Sequence, residues 1–176
     1  MYICPCNFTA IVKSEVVPEA LKEACKTLSS LALRNASTIA GDIALLSDDS
    51  YLIPLLLAYD AKLEVFNERD EVMTLDEYIK LNNKKLIIKT IIINPKYKVV
   101  GKRISRTSST KAIVTAARNL DTNKYCCSIS SSGFYTSLEE LSLDKIKSDI
   151  YGEKEYKLYL AKELSTLGED KWLNLI

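Results

Sequence analysis

Apolar positions in the first third of the chain recur at spacings that predict one strand and two helices. Residues 8–13 are few and partly β-branched, which predicts a strand at the edge of a sheet. Pro18 suits a first helical turn, and the apolar residues after it fall three and four apart, so a helix is predicted over residues 18–31. Short polar side chains at residues 47–50 predict the capped start of a second helix. The apolar stripe of that helix consists of Leu52, Leu55, Leu56 and Tyr59.

The middle of the chain alternates as strands do. Residues 61–66 predict a strand, residues 67–70 a polar turn, and residues 71–74 the returning strand of a hairpin. A short helix is predicted at residues 75–81. Residues 86–93 are nearly all apolar and β-branched, which predicts a strand buried on both faces.

The last part of the chain predicts further strands and then helices. Residues 97–106 predict an extended segment, and residues 112–120 predict another, although their alanines also suit a helix. Residues 128–133 are rich in serine and predict a strand end or a loop. Residues 137–140 predict the start of a capped helix, and a last helix is predicted over residues 153–167. The apolar stripe of the last helix consists of Tyr156, Leu160, Leu164 and Leu167.

Composition and charge narrow the class of protein. The 176 residues are 47% hydrophobic and 27% charged, which is ordinary for a globular chain, and the formal net charge is +1. No apolar run reaches the roughly 18 residues that a membrane span needs, and the first residues lack a signal peptide's basic leader and apolar core. We therefore expect a cytoplasmic protein that binds neither nucleic acid nor membranes.

Histidine and cysteine usage limits the chemistry. The chain has no histidine, which removes the usual general base and excludes Ser-His and Cys-His hydrolytic sites. The spacings of its five cysteines match no common zinc or iron–sulfur pattern, so we expect thiols and no metal. Catalysis would have to rest on carboxylates, on lysines or on a cofactor that brings its own chemistry.

One segment of small residues is the best candidate for a ligand site. Residues 32–42 read Ala-Leu-Arg-Asn-Ala-Ser-Thr-Ile-Ala-Gly-Asp and are called the glycine segment below. A glycine beside hydroxyl and amide donors lets the backbone approach an anion closely and can cradle phosphate or ribityl oxygens. The same pattern also suits a turn or irregular loop before a core helix, and the spacing alone leaves both interpretations open.

Longer motifs around this segment carry a family resemblance. The glycine segment and Leu-Ile-Pro-Leu-Leu-Leu-Ala at residues 52–58 resemble the RN-x-ATIGGN and PALLAL-A motifs in the FAD-binding subunit of molybdopterin dehydrogenases. This is the xanthine and carbon monoxide dehydrogenase type. After the apolar residues 87–95, Lys-Arg-Ile-Ser-Arg at residues 102–106 is similar to the family's K-x-x-S-R segment. Two further stretches are similar to the family in order, namely Ala-Ile-Val-Thr-Ala-Ala at residues 112–117 and Glu-Tyr-Lys-Leu-Tyr-Leu-Ala at residues 155–161.

The resemblance implies an α+β fold in two parts. Residues 1–96 resemble the antiparallel-sheet second FAD subdomain, and residues 97–176 the C-terminal domain of a small antiparallel sheet with helices. The implied function is the FAD-binding component of a molybdenum hydroxylase-type oxidoreductase, which relays electrons between iron–sulfur centres and an acceptor such as NAD. Its implied partners are iron–sulfur and molybdopterin subunits. The family's first FAD subdomain has no counterpart in the sequence, so a separate chain would have to supply it.

The resemblance also implies which residues bind FAD, while no residue is assigned a catalytic role. The implied FAD-binding residues are Thr38, Ile39, Gly41, Asp42, Lys102 and Ser105. The family pattern is broken at Ala40, which replaces a glycine, at Asp42, which replaces an asparagine, and at Tyr51, which replaces an acid. Ala40 restricts backbone approach, and Asp42 would bring a negative charge to a pyrophosphate. These changes favour an alternative, a truncated homologue without flavin that acts as a structural or interaction subunit, and an unrelated α+β binding domain is a third hypothesis.

A basic stretch offers a second candidate surface. Between residues 84 and 118 there are ten lysines and arginines and no acid. Such a face could hold a phosphate group or an acidic partner, and it could equally be a solvated sheet surface whose cations discourage edge pairing. Tyr97 is its single aromatic residue, which leaves little for base stacking. The ten cations are Lys84, Lys85, Lys89, Lys96, Lys98, Lys102, Arg103, Arg106, Lys111 and Arg118.

Overall fold

The chain folds into two antiparallel sheets with helices, which is the α+β class that the sequence predicts. The computed structural model describes residues 1–3, 6–27, 30–81, 86–107 and 110–167. In chain order, the elements are β1 (Tyr2–Ile3), α1 (Phe8–Lys13), α2 (Glu19–Thr27), α3 (Leu31–Ala36), α4 (Ile39–Leu45), α5 (Leu52–Ala58), β2 (Lys62–Asn67), β3 (Arg69–Thr74), α6 (Leu75–Leu81), β4 (Ile87–Ile92), β5 (Val99–Ser105), β6 (Ala112–Asn119), β7 (Tyr125–Ile129), β8 (Gly133–Tyr135) and α7 (Lys154–Thr166).

Each sheet is built from one half of the chain. The first sheet has the strand order β1-β4-β2-β3, and the second has the order β5-β6-β7-β8, so the second is a simple meander. In the first sheet, β2 and β3 form a hairpin that pairs Lys62 with Thr74 and Asn67 with Arg69. Only Glu68, in the left-handed conformation at φ 65°, is left to turn the chain.

Helix α5 joins the two halves. All seven of its residues are buried, and it packs against β5, β6 and β7 as well as α2, α4 and α6. The larger core cluster therefore runs from Leu63 and Ile91 of the first sheet to Val99 and Ala117 of the second. A smaller cluster lies on the opposite face of the second sheet, beneath α7. The sheets divide where the proposed parts 1–96 and 97–176 meet, whereas the core crosses that boundary.

The N-terminal strand prediction is wrong, because residues 8–13 form helix α1. The Asn7 side chain accepts a hydrogen bond from the Ala10 amide at 2.9 Å, which caps the helix. Phe8 and Ile11 lie three residues apart and are both buried on one face. Over six residues, this cap and the burial of one face outweigh the β propensity of the sequence.

The glycine segment is helical rather than a loop, and the helix predicted over residues 18–31 is shorter than expected. Helix α2 ends at Thr27, and Ser30 caps the separate helix α3 by accepting a hydrogen bond from the Leu33 amide at 3.4 Å. After α3, Ser37 and Thr38 have extended backbones and α4 begins at Ile39. Two short polar caps therefore divide a stretch that apolar spacing alone reads as one helix followed by a turn.

Two further predictions about burial and one about a helix are also wrong. Strand β4 is buried on one face only, since Ile87 is 62% exposed on the other. Residues 137–140 do not open a helix, because the Glu140 carboxylate accepts the Thr136 amide at 2.9 Å and closes a turn. On α7 the buried face carries Lys157 and Ala161 rather than Tyr156, which is 47% exposed.

The other elements are confirmed with end points shifted by a few residues. These are the helices at α2, α5, α6 and α7, the β2–β3 hairpin, and the strands β4, β5 and β6. In the described part of the chain, no helix is both long and apolar enough to cross a bilayer.

Candidate functional site

Thr38 caps the helix on which the glycine segment ends. Its Oγ1 accepts a hydrogen bond from the Gly41 amide at 3.0 Å. A Cβ atom built at Gly41 would lie 3.0 Å from the same Oγ1, so glycine leaves this cap the room that it needs. Gly41 is exposed and Thr38 is half-buried, and the Thr38 hydroxyl keeps its own proton for a second partner.

The neighbouring Ile39 is a core residue. Its side chain is fully buried, and its amide donates to the Cys6 carbonyl at 3.2 Å. The Asp42 amide donates to the Thr38 carbonyl at 3.0 Å, as expected for the first turn of α4. The amides of Ile39, Gly41 and Asp42 are therefore bonded within the protein, and the Thr38 hydroxyl and the exposed face of Gly41 are the parts of this turn open to a ligand.

The Asp42 carboxylate faces the protein and begins a chain of hydrogen bonds. Ser50 Oγ donates to Asp42 Oδ2 at 2.6 Å and accepts the Ile53 amide at 3.2 Å, which also caps α5. Thr115 Oγ1 of β6 donates to the Ser50 carbonyl at 2.8 Å. Burial raises the pKa of Asp42 above its ordinary value, and the Ser50 bond opposes that shift. Asp42 thus links α4 to α5 and to the second sheet.

Replacing Ser50 by Ala is expected to lower the free energy of unfolding by about 2 kcal/mol, because one hydroxyl satisfies both Asp42 and the end of α5. Urea unfolding followed by circular dichroism measures the loss. Ser47→Ala is the matched control on the same loop, since the Ser47 hydroxyl bonds only to the neighbouring Asp49 among the described groups. Equal losses in the two variants would contradict the linking role of Ser50.

Tyr51 fills the space in front of Gly101 on β5. A Cβ atom at Gly101 would lie 2.8 Å from the Tyr51 hydroxyl and 2.8 Å from Leu55 Cδ2, so only glycine fits here. Burial raises the pKa of Tyr51, which keeps the phenol neutral at all physiological pH values. The residue that breaks the family pattern at position 51 therefore packs the contact between α5 and the second sheet.

The two predicted site residues of β5 lie on opposite faces of the second sheet. Side chains alternate along a strand, so Lys102 shares a face with Val100 and Ile104, which pack in the cluster beneath α7. Ser105 lies on the face of Gly101, and its Oγ accepts a hydrogen bond from Arg103 Nη1 at 2.6 Å. Partial burial lowers the pKa of Lys102. The structure therefore brings Ser105 to the face that packs on α5, and Lys102 to the other.

Much of the basic stretch is engaged within the protein. Lys89 pairs with Asp70 at 2.8 Å and Lys111 with Asp48 at 2.7 Å. Arg118 donates to the carbonyls of Ser165 and Leu167 at the end of α7. These contacts favour the structural interpretation of the stretch over a continuous anion-binding face. Lys84, Lys85 and the neighbouring Ser108 and Ser109 lie outside the described residues.

The cysteines do not form an acid–base or nucleophilic site. Cys25, Cys126 and Cys127 are buried free thiols, and burial raises the pKa of each to about 12. Such thiols are protonated at neutral pH and are poor nucleophiles. Among the described residues, no three acidic or cysteine side chains converge as a metal site would require, and Cys4 and Trp172 lie outside that part.

Sequence reasoning missed the residues that connect the glycine segment to the second sheet, namely Ser50, Gly101, Arg103 and Thr115. They lie on elements that are distant in the chain, and Ser50 was recognised only as part of a helix cap. The one local signal was Gly101, an isolated glycine within a predicted strand, which often marks close backbone approach.

Comparison with known proteins places this geometry in context. Residues 6–95, about half of the chain, match the family described as the FAD binding domain in molybdopterin dehydrogenase. YgfM of Escherichia coli K12 is 37% identical over 101 residues, which cover 57% of this chain and 38% of YgfM. The aligned part thus spans well under half of that relative, which is itself named an uncharacterized protein.

Solved structures share the fold over almost the whole chain. A chain of carbon monoxide dehydrogenase from Hydrogenophaga pseudoflava matches with a TM-score of 0.74 and 16% identity, over 96% of this chain and 71% of that one. A chain of quinoline 2-oxidoreductase from Pseudomonas putida 86 matches with a TM-score of 0.69 and 14% identity, over 90% and 69%. At these identities the likeness establishes the fold.

Proposed function

Since this chain belongs to the family of FAD-binding domains of molybdopterin dehydrogenases, we propose that it is the FAD-binding component of a molybdenum hydroxylase-type oxidoreductase. FAD is the cofactor that the family implies, as the sequence resemblance predicts. The observation that supports binding by this chain is the capped turn of the glycine segment, where the Thr38 hydroxyl and the exposed Gly41 face outward together.

The residues of the glycine segment fit one edge of a dinucleotide. Oxygens of a pyrophosphate or ribityl group need hydroxyl or amide donors and a backbone without a side chain in the way. Thr38 supplies the hydroxyl and Gly41 the open backbone. Asp42, whose charge would repel a pyrophosphate, is bonded to Ser50 instead, and burial raises its pKa. The obstacle that the sequence suggests at Asp42 is therefore reduced.

FAD, when bound, supplies the electron-transfer chemistry, and the protein supplies binding and orientation. In this proposal, Thr38 and Gly41 hold the cofactor, Ile39 fixes their turn by its buried side chain, and Asp42 holds the turn to α5. Lys102 and Ser105 remain proposed contacts on the second sheet. The partners are iron–sulfur and molybdopterin subunits in the cytoplasm, electrons pass from the iron–sulfur centres to an acceptor such as NAD, and a separate chain supplies the first FAD subdomain.

We expect Thr38→Val to weaken FAD binding about 10-fold, because it removes the one hydroxyl of the turn, a contribution of about 1.4 kcal/mol. Titration of the purified chain with FAD, followed by flavin fluorescence, measures the affinity. Thr38→Ser keeps the hydroxyl and should bind as the wild type does. Thr122→Val alters an exposed threonine in the turn between β6 and β7 and should change nothing. Equal affinity of all four proteins would contradict the role of Thr38.

A flavin-free subunit is the second candidate, and the internal hydrogen bonds of the Ile39, Gly41 and Asp42 amides favour it. The two candidates separate when the chain is co-expressed with the products of neighbouring genes and the purified complex is examined by visible absorbance. The FAD-binding component should yield a complex with flavin absorbance. A stable complex without flavin, together with no binding of FAD by the isolated chain, would establish the second candidate instead.

A further inference from the structure

Arg103 has a half-buried positive charge that no acid contacts. Its Nη1 donates to Ser105 Oγ at 2.6 Å, and its Nη2 donates to the Thr110 carbonyl. Both acceptors are neutral. No carboxylate of the described residues lies within 4.0 Å of its guanidinium, whereas Lys89 and Lys111 each pair with an aspartate. An arginine stays ionised even when partly buried, and such a charge is normally matched by an anion.

The nearest acid does not meet this need. Asp49 is close enough to influence the pKa of Arg103, but its carboxylate accepts the Ser47 hydroxyl and forms no ion pair with Arg103. Burial lowers the pKa of Arg103, which shows that the group is removed from water without full compensation. A guanidinium has five N–H donors, so donors remain beyond the two bonds within the protein.

The position of Arg103 places it on the same side of the second sheet as the glycine segment. It lies directly opposite Thr115 in the register of β5 and β6, and Thr115 Oγ1 bonds to the Ser50 carbonyl. Ser50 in turn bonds to Asp42 of the glycine segment. Two residues before Arg103 on the same face, Gly101 contacts Tyr51, the residue next to Ser50. Two side chains thus connect the Arg103 position to the turn of Thr38 and Gly41.

We infer that Arg103 is a phosphate-binding residue, which holds a phosphate group of the dinucleotide whose edge the glycine segment contacts. This inference rests on the proposed function, since FAD is the dinucleotide in question. Arginine suits the role because its planar fork can donate two parallel hydrogen bonds to phosphate oxygens. Its bonds to Ser105 and Thr110 hold the fork in place before a ligand arrives. Ser105, a predicted FAD contact, would then act by positioning Arg103.

The test compares Arg103→Gln and Arg103→Lys with the wild type, using FAD, riboflavin and inorganic pyrophosphate as probes. We expect Arg103→Gln to bind FAD and pyrophosphate about 10-fold more weakly and riboflavin, which has no phosphate, unchanged. Arg103→Lys keeps the charge and should recover part of the loss. Arg106→Gln, which alters an exposed arginine of the same segment, is the control and should bind as the wild type does. Urea midpoints show that each variant is folded.

The outcomes separate this inference from the proposed function. FAD binding that is equal in wild type and Arg103→Gln would overturn the role of Arg103 and leave the proposed function in place. Pyrophosphate binding that depends on Arg103, without FAD binding, would support the phosphate site and overturn the proposed function. Riboflavin binding that falls as much as FAD binding would overturn the inference, because the effect would then not depend on phosphate. Absence of binding by every probe would overturn both.

Discussion

Replacing Lys157 by Met is expected to lower the free energy of unfolding by about 3–5 kcal/mol, because it leaves a buried carboxylate without its partner. The Lys157 side chain is 0% exposed, and its Nζ lies 2.7 Å from Asp149 Oδ2. The same nitrogen donates to the carbonyls of Ser130 at 3.0 Å and Lys147 at 2.8 Å. One ammonium group therefore joins α7 to the end of β7 and to the irregular segment that precedes the helix.

Chemical denaturation at neutral pH measures this loss. Lys162→Met is the matched control, since it makes the same replacement at an exposed position of the same helix and should cost less than about 0.5 kcal/mol. Asp149→Asn removes the other partner and should be comparably destabilising. A loss below about 1 kcal/mol in Lys157→Met would contradict the picture of a buried ion pair that holds α7 to the second sheet.

The same pair sets the sign of the acid response. The Lys157 ammonium and the hydrogen bonds from Ser131, Tyr151 and Gly152 hold the pKa of Asp149 below its ordinary value of 3.8, against the opposing effect of burial. A depressed carboxyl pKa stabilises the fold above that ordinary value, and the stabilisation is lost as the pH falls below it. The unfolding free energy of the wild type should thus fall more steeply below about pH 4 than that of Asp149→Asn.

Local sequence pattern predicts elements well where burial follows the pattern. The β2–β3 hairpin, α5 and α6 were predicted from spacing and caps alone, and the structure confirms them. Prediction fails at α1, where a side-chain cap decides the conformation, and at α7, where the buried face includes a lysine. A lysine in a buried stripe reads as a solvent position, because nothing in the local sequence reveals a partner eight residues earlier that the fold brings close.

The candidate site was predictable in part. The family motifs identify the glycine segment, whose turn is held by Thr38. They could not separate Lys102 from Ser105, which lie three positions apart on one strand and therefore face opposite ways. Arg103 was visible only as one of ten cations. Its distinction is a missing carboxylate contact in three dimensions, and this cannot be read from the order of residues.

The second large effect is expected at Leu55, where replacement by Ala should lower the free energy of unfolding by about 2–5 kcal/mol. Leu55 is fully buried, and its Cδ2 packs against Gly101 of β5, while the rest of α5 contacts α4 and α6 beside the first sheet. Because the core crosses from one half to the other at this helix, the cavity should weaken both sheets together. Urea unfolding gives the size of the loss, and Leu45→Ala, at an exposed leucine of α4, is the control.

Hydrogen exchange in Leu55→Ala decides whether the proposed parts 1–96 and 97–176 fold as one unit. If they do, the amides of β2 and β4 in the first sheet and of β6 and β7 in the second should lose protection by the same free energy, because all four strands then open only when the whole chain unfolds. Faster exchange confined to β6 and β7 would show that residues 97–176 open separately. In that case the glycine segment and Arg103 would lie on two units, and a dinucleotide contacting both would stabilise their association.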